Sequence, residues 1–367
     1  MKKVWRVAAF LMVVAMLFSL LGLAGCAKKP AAEPDKMTVA FIEFSTSTGS
    51  SWVVADVRGQ EYAKSQLPWL DLTTVESVAE DPGAVAVIRQ LAQAGNKVVF
   101  AQGFGFAQFV PAIADEFPNT IFIVQQGVPE DRPNVGSYYA YHTQGRYLTG
   151  VVAGLTTKSN KIGFAAGFPI PPVIAGINAF ALGVKSVNPN ATVQVTWVNS
   201  WYDPAKEKEA ADSLINAGCD IVASHTDSDA VLKAAAAKGK FGITSSWSWA
   251  ESAPDAFLTS MNFYWGKYLV QVLTEIENGT WKPARYMGSV TDGVVDIAPL
   301  GPGAAPGCQA AVDKARADIT SGAVKLFSGP LKDNEGNERV AAGQILSEDD
   351  ALNTMDWLVE GVIGSTK

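Results

Sequence analysis

Histidine and cysteine are rare in this sequence, which contains two histidines and three cysteines in 367 residues. Neither His142 nor His225 has a cysteine or a second histidine at the spacing typical of a zinc site. Cys219 enters an apolar run, which favours a small buried side chain, although a disulfide with Cys308 is the alternative. We therefore expect no metal site and no cofactor.

Positive charge is also scarce. The formal net charge is −7, and it becomes −10 when residues 1–25, which carry Lys2, Lys3 and Arg6 but no acid, are left out. An acidic surface repels phosphate groups, and no cluster of basic residues could follow a nucleic acid backbone. We expect no nucleic acid among the partners of this protein.

The common catalytic motifs are missing as well. There is no Gly-x-x-x-x-Gly-Lys-Ser/Thr loop, no His-Glu-x-x-His pair and no Gly-x-Ser-x-Gly elbow. Residues 103–106 (Gly-Phe-Gly-Phe) follow a predicted strand as a dinucleotide-binding loop would, but the third glycine is absent. A hydrolase that uses His225 with Asp227 or Asp292 is an alternative without an evident nucleophile. We predict a binding protein rather than an enzyme, with no catalytic residues.

Only one long apolar run occurs, at residues 7–23, between a basic start and the sequence Leu-Ala-Gly-Cys at residues 23–26. This layout is typical of a secretory signal peptide, and its last four residues resemble the lipobox of bacterial lipoproteins. We predict that residues 1–25 form a signal peptide, that Cys26 is lipidated, and that residues 26–36 are a linker. The body would then be extracytoplasmic and anchored to the cell membrane, in the periplasm or on the outer surface. An uncleaved membrane anchor is the alternative, although the run is barely long enough to span a bilayer.

Beyond residue 36, short β-rich apolar runs alternate with amphipathic helices in two successive series, which begin at residues 37 and 161. This order predicts an α/β protein with two lobes, each a doubly wound parallel sheet with helices on both faces. We assign residues 37–155 and 262–367 to the N-terminal lobe and residues 156–261 to the C-terminal lobe. A ligand is expected in the cleft between the lobes, at the carboxyl ends of the strands.

Aromatic and hydroxyl residues follow several predicted strands, at the turns that would line this cleft. An aromatic face stacks on a planar ligand and contributes about 0.5–1.5 kcal/mol beyond the burial of its area. Neighbouring hydroxyl groups can orient the polar edges of that ligand. For each residue, packing in the core is the alternative. The candidates of this kind are Ser51, Trp52, Phe104, Phe106, Trp201, Ser246 and Trp247.

A polar turn after another predicted strand of the C-terminal lobe adds two candidates. His225 and Asp227 are placed to bond the nitrogen or hydroxyl groups of a ligand across the cleft. In the alternative interpretation, Asp227 or Ser228 caps the helix that follows. His142 is interpreted as a packing residue between the lobes.

Eight short segments of the body form a further pattern: Gly-Phe-Gly-Phe (103–106), Asn-Val-Gly (134–136), Gly-Arg-Tyr-Leu-Thr-Gly (145–150), Asn-Lys-Ile-Gly-Phe (160–164), Gly-Ile-Asn-Ala-Phe (176–180), Val-Asn-Pro (187–189), Asp-Pro-Ala-Lys-Glu (203–207) and Leu-Thr-Ser-Met (258–261). They resemble the basic membrane protein family of ABC-transporter substrate-binding lipoproteins, which includes purine nucleoside receptors. The resemblance covers nearly the whole chain up to about residue 300. It implies a type I periplasmic-binding-protein fold, whose two lobes close on a ligand, and a monomer whose partners are a small molecule, an ABC permease and the membrane.

The chain departs from the family pattern in the cleft. Nucleoside-binding members hold the ribose hydroxyls with acidic residues and lysine, whereas Ser50, Ser51, Gln108 and Asn262 stand at such positions here. A ribose site would retain those charged partners, because buried polar groups must be satisfied. We predict that the ligand is a purine base or a closely related heterocycle. A purine nucleoside as ligand, or a sensor not coupled to transport, is the alternative.

Overall fold

The computed structural model of the protein describes residues 36–127 and 132–367. The predicted signal peptide, the lipidated Cys26 and the linker as far as residue 35 lie outside this part of the chain. No helix within it is both long and apolar enough to cross a lipid bilayer.

Strands and helices alternate through the first part of the described chain. In order, they are β1 (Met37–Glu43), α1 (Ser51–Gln66), β2 (Leu70–Val75), α2 (Ala84–Gln93), β3 (Val98–Gln102), α3 (Val110–Glu116), β4 (Ile121–Gln125), β5 (Val135–Ala140) and α4 (His142–Thr156). Ser50 precedes α1 and accepts a hydrogen bond from the backbone N–H of Trp52, which fixes where this helix begins.

The same alternation continues after α4. The elements are β6 (Lys161–Ala166), α5 (Pro171–Val187), β7 (Thr192–Trp197), α6 (Pro204–Asn216), β8 (Ile221–His225), α7 (Ala230–Ala237), β9 (Phe241–Ser246), a 3₁₀ turn (Ala250–Ser252), β10 (Phe257–Phe263), α8 (Gly266–Glu277), β11 (Arg285–Gly288), β12 (Val295–Ile297), α9 (Cys308–Thr320), β13 (Leu331–Lys332), β14 (Glu338–Val340), α10 (Glu348–Thr354) and β15 (Val362–Ile363).

Two sheets divide the body into two lobes. The first sheet has the strand order β11-β5-β4-β3-β1-β2, and all its neighbouring strands are parallel. The second has the order β12-β10-β9-β8-β6-β7-β15, in which only β12 is antiparallel to its neighbour. A separate ribbon pairs β13 with β14. This architecture confirms the predicted α/β class with two doubly wound parallel sheets.

The central strands are buried on both faces, which explains their continuous apolar sequences. In β1 and β3, Phe41 and Phe100 stack with ring centroids 4.6 Å apart and are fully buried. Helices pack against the sheets, and the turns that follow the strands are left exposed at the carboxyl ends of the strands.

Helix α4 carries the chain from the first sheet to the second and packs closely against α5. A Cβ atom added to Gly150 would lie 2.1 Å from the carbonyl oxygen of Phe180, and one added to Gly183 would lie 2.1 Å from that of Tyr147. Both positions therefore need glycine, because the two backbones meet there.

The predicted assignment of residues 262–367 to the N-terminal lobe needs correction. Helix α8 packs on α1, and β11 joins the first sheet, but β12 and β15 join the second sheet. The exposed edges of β10 and β7 supply the hydrogen-bond partners for these two strands. Cys219 and Cys308, the candidates for a disulfide, are buried free thiols.

Candidate ligand-binding site between the lobes

A cavity of about 330 Å³ lies between the two lobes. Most of its wall consists of residues at the carboxyl ends of parallel strands or in the turns that follow them, as the fold requires. Both sheets contribute, so residues far apart in sequence meet here. The aromatic residues that line it are Phe44, Trp52, Phe104, Tyr139, Phe168, Trp201 and Tyr202.

The aromatic rings hold one another in place from both lobes. Trp52 stacks on Tyr139 with ring centroids 6.3 Å apart, and in the second lobe Trp201 meets Phe168 edge-on at 5.0 Å. Phe104 differs, because 57% of its surface is exposed. The cavity therefore offers flat apolar faces from both lobes, and Phe104 lies where the cavity meets solvent.

A chain of hydrogen bonds fixes the orientation of Trp52. Its indole N–H donates to Oε1 of Gln125 at 2.7 Å, and Nε2 of Gln125 donates to Oδ1 of Asp56 at 2.9 Å. Burial, with a smaller contribution from Asp227, raises the pKa of the Asp56 carboxyl well above its usual range. An indole N–H can only donate, so this chain has a single possible direction.

Asp227 connects the lobes at the edge of the cavity. Its carboxylate accepts hydrogen bonds from the hydroxyl groups of Ser50 at 2.9 Å and Ser51 at 3.4 Å, both from the first lobe. Its carbonyl oxygen accepts the backbone N–H of Ser51 at 2.9 Å. Burial raises the pKa of Asp227 to about 7, although the hydrogen bond from Ser50 opposes the shift. The structure is thus a closed arrangement of the two lobes.

His225 lines the cavity, and one of its ring nitrogens has no partner in the part of the chain that the structure describes. Its Nδ1 atom is buried and has no hydrogen-bond partner among the described residues. Burial and then the charge of Arg146 lower the pKa of this imidazole well below its ordinary value, so the ring is neutral. One ring nitrogen can then donate a hydrogen bond and the other can accept one.

Three residues of the cavity wall have left-handed backbone conformations. The φ angles are 71° at Gln126, 53° at Asn199 and 63° at Ser246, at or just after the ends of β4, β7 and β9. Non-glycine residues rarely adopt this conformation, and such strain concentrates at binding sites. The surrounding structure therefore imposes the positions of these three polar side chains.

The structure brings together six of the nine predicted site residues: Trp52, Phe104, Trp201, His225, Asp227 and Ser246 all line the cavity. Ser51 lies behind the wall and bonds Asp227. Phe106 is fully buried in the core of the first lobe, since the chain turns into α3 there. Trp247 lies outside the cavity and packs edge-on against Tyr264 at 5.7 Å.

Sequence reasoning missed Tyr139 and Phe168. Tyr139 belongs to β5, a strand rich in tyrosine and buried along its length, so its pattern resembles core packing. Phe168 follows β6 directly, and this is the same positional signal that identified Phe104. Within the described chain, no group of three or more His, Cys, Asp or Glu side chains is placed to hold a metal ion.

Residues 36–311 match the family model of PnrA-like ABC transporter substrate-binding proteins. The chain belongs to this family. Its members are extracytoplasmic substrate-binding proteins that work with an ABC permease, and they are not enzymes.

Relatives of this PnrA-like protein carry names with different ligands. A purine-binding protein of Brucella abortus is 33% identical over 329 residues, which cover 89% of this chain and 93% of the relative. A protein of Haloferax volcanii that carries the provisional name of an ABC transporter glucose-binding protein is 31% identical, over 91% of this chain and 82% of the relative. An ABC transporter nucleoside-binding protein of Lactococcus lactis is 32% identical, over only 35% of this chain and 37% of the relative.

Solved structures support the fold. The solute-binding protein of an ABC transporter from Conexibacter woesei superposes with a TM-score of 0.68 and 24% identity, over 78% of this chain and 97% of that structure. A solute-binding protein of an ABC transporter from Aeropyrum pernix gives the same TM-score at 16% identity, over 81% of this chain and 93% of that structure. The PnrA-like chain thus has the type I periplasmic-binding-protein fold that its sequence predicts.

Proposed function

We propose that this protein is the lipid-anchored receptor of an ABC importer and that it binds a purine base or a closely related heterocycle between its lobes. The observation that carries this proposal is the small aromatic cavity, with Trp52 and Tyr139 on one side and Trp201 and Phe168 on the other. Flat rings favour a planar ligand, because stacking adds about 0.5–1.5 kcal/mol for each aromatic pair.

Polar groups in the wall suit the edge of a heterocycle. The neutral imidazole of His225 lines the cavity, and Asn199 and Ser246 lie at backbone positions that the fold constrains. Donors and acceptors held in place orient a ligand and reject analogues that leave them unpaired.

Two features favour a base over a nucleoside. The cavity enclosed by the aromatic rings is near the small end of the range of about 300–1,000 Å³ that ligand pockets span, and the larger space beside it lies past the exposed Phe104. Its two carboxylates are also occupied, since Asp227 accepts bonds from Ser50 and Ser51, and Glu80 accepts the backbone N–H of Gly105 at 2.7 Å. Each therefore has fewer acceptor sites left for the two hydroxyl groups of a ribose than an unpartnered carboxylate would have.

The anchor and the closed lobes give this receptor its place in transport. Lipidation at Cys26 would hold the protein near its permease and raise the effective concentration of loaded receptor. The bonds between Asp227 and the first lobe form only when the lobes meet, so closure would retain the ligand until the permease opens them.

Thermal-shift measurements with nucleobases, nucleosides and glucose test the proposal. We expect purine bases to raise the melting temperature most. Calorimetry should give the smallest dissociation constants for the same ligands. A shift only with nucleosides would replace the base with the alternative ligand, and no shift with any purine would contradict the purine assignment. Uptake of the ligand in cells, with and without the permease, separates transport from sensing.

A pair of tryptophan variants tests the location of the site. Trp52→Ala should weaken binding of the base at least tenfold, because it removes a stacking face. Trp247→Ala is the matched control, since Trp247 packs outside the cavity and should leave affinity within about twofold. Equal losses in both variants would contradict this location.

A further inference from the structure

A fully buried arginine lies beneath the cavity without an acidic partner. Arg146 in α4 has no solvent exposure, and its guanidinium forms no ion pair with a carboxylate among the described residues. Its Nε atom has no hydrogen-bond partner in this part of the chain. A buried charge is expensive unless it is paired, so an uncompensated one is typical of a functional requirement.

The guanidinium is hydrogen-bonded to two strands that end at the cavity, β8 and β9. Nη1 donates to the carbonyl oxygen of Ser224 at 2.8 Å, and Nη2 donates to the hydroxyl of Ser245 at 2.5 Å. The next residues, His225 and Ser246, line the cavity. The hydroxyl groups of Ser245 and Ser246 are 3.4 Å apart, so hydrogen-bonded groups connect the cation to the wall.

Nothing in the immediate surroundings cancels this positive charge. Burial lowers the pKa of Arg146 to about 9, so the group stays protonated at neutral pH. The two histidines whose pKa its charge lowers, His142 and His225, are neutral, and the ring of Phe164 faces the guanidinium at 5.5 Å. The acids of the cavity wall, Asp227 and Glu80, each accept hydrogen bonds from donors of the first lobe rather than from Arg146.

We propose that Arg146 makes the cavity selective for oxopurines, whose carbonyl edge faces His225 and Ser246 above the buried cation. This inference rests on the proposed function. A carbonyl oxygen carries a partial negative charge, and a ring that has lost a proton carries a full one, so the field of Arg146 stabilises both. The amino edge of adenine would direct hydrogen-bond donors toward the same positive charge.

Calorimetry on the unaltered protein at pH 7.5 gives the first test. We expect hypoxanthine to bind at least tenfold more tightly than adenine, and the urate anion to bind at least as tightly as hypoxanthine. Adenine binding as tightly as hypoxanthine would overturn the inference while leaving the proposed function intact. Absence of binding by every purine would instead contradict the proposed function.

Substitution of Arg146 gives the second test. Arg146→Lys retains the charge and should keep most of the preference for hypoxanthine over adenine, whereas Arg146→Met should reduce that preference below threefold. Arg89→Met is the matched control for net charge, because Arg89 pairs with Glu116 on the surface, away from the cavity. If folded Arg146→Met keeps the preference for hypoxanthine over adenine, the inference is overturned. If this variant does not fold, the affinities of the unaltered protein for hypoxanthine and adenine decide whether the inference stands.

Discussion

At the scale of single residues, the orientation of Trp52 depends on side chains that no ligand would touch. Gln125 and Asp56 are both fully buried; Gln125 accepts the indole N–H of Trp52 and donates to Asp56. Because the pKa of Asp56 is raised by burial, its carboxyl does not need to be charged to accept the bond from Gln125. The chain therefore needs an acceptor at residue 56 rather than an anion.

Replacing Gln125 should test this arrangement. Gln125→Met removes the acceptor for the indole N–H, and we expect affinity for the base to fall about fivefold to tenfold, since one positioning hydrogen bond contributes about 1 kcal/mol. Asp56→Asn keeps an acceptor for Gln125 and should stay within about twofold of the unaltered protein. Calorimetry measures both, and equal affinities in the two variants would contradict the role of Gln125.

Single residues of the site were predictable where they follow a strand and are aromatic or polar. Trp52 and Trp201 satisfy this rule and line the cavity, and His225, expected in the turn, lines it as the last residue of β8. Phe106 satisfies the rule as well, but its predicted position in the cavity is wrong, because its side chain points into the core. The direction of a side chain within a turn depends on backbone angles that the composition of the turn does not reveal. Tyr139 failed the rule, since it lies within a strand.

At the scale of elements, the contact between α4 and α5 is the tightest helix pairing near the crossing of the chain. Gly150 and Gly183 each face a backbone carbonyl of the opposite helix. Backbone atoms cannot move aside as a side-chain tip can, so an added methyl group must push the helices apart.

Gly150→Ala should therefore destabilise the protein by about 2 kcal/mol, in spite of the better helix propensity of alanine. Gly83→Ala is the matched control: Gly83 is exposed, and a Cβ atom there would meet only the exposed side chain of Asp81, which can rotate away at the cost of one surface hydrogen bond. We expect that variant to stay within about 1 kcal/mol of the unaltered protein. Denaturant unfolding gives both values, and an unchanged midpoint for Gly150→Ala would contradict the close contact.

Long elements were predictable and short ones were not. The central strands and most helices follow from continuous apolar runs and amphipathic periodicity. In contrast, β12 and β15 have three and two residues, and each exists because an open sheet edge is available for pairing. Such strands have too few residues to show an alternation of apolar and polar side chains. The sequence therefore could not predict the lobe to which residues 289–367 belong.

At the scale of the whole molecule, closure of the lobes takes the carboxyl of Asp227 out of water. In the closed protein its pKa is about 7, compared with an ordinary value of 3.8, and opening would return it toward that value. The closed state thus holds a proton more tightly, so this group favours closure at low pH and the contribution is lost as pH rises toward 7. His225 acts in the opposite direction, because its pKa is lowered in the closed state.

The affinity of the unaltered protein relative to Asp227→Asn should show this dependence. With hypoxanthine, which keeps one protonation state from pH 5 to 8, we expect the ratio to fall by up to about tenfold per pH unit between pH 5 and 7 and to level off above 7. The contribution of His225 is present in both proteins and cancels. Calorimetry across this range checks the prediction, and a ratio independent of pH would show that Asp227 does not change its environment on closure.

The two tryptophans of the cavity wall belong to different lobes, Trp52 to the first and Trp201 to the second. Indole emission responds to a stacked ring, so the protein contains an intrinsic optical reporter on each side of its ligand. In stopped-flow experiments with Trp52→Phe and Trp201→Phe, the other tryptophans give a constant background, and the change in emission on binding reports when the ligand contacts the remaining cavity tryptophan. The delay between the two signals would measure the time between binding of the ligand to one lobe and closure of the second lobe on it.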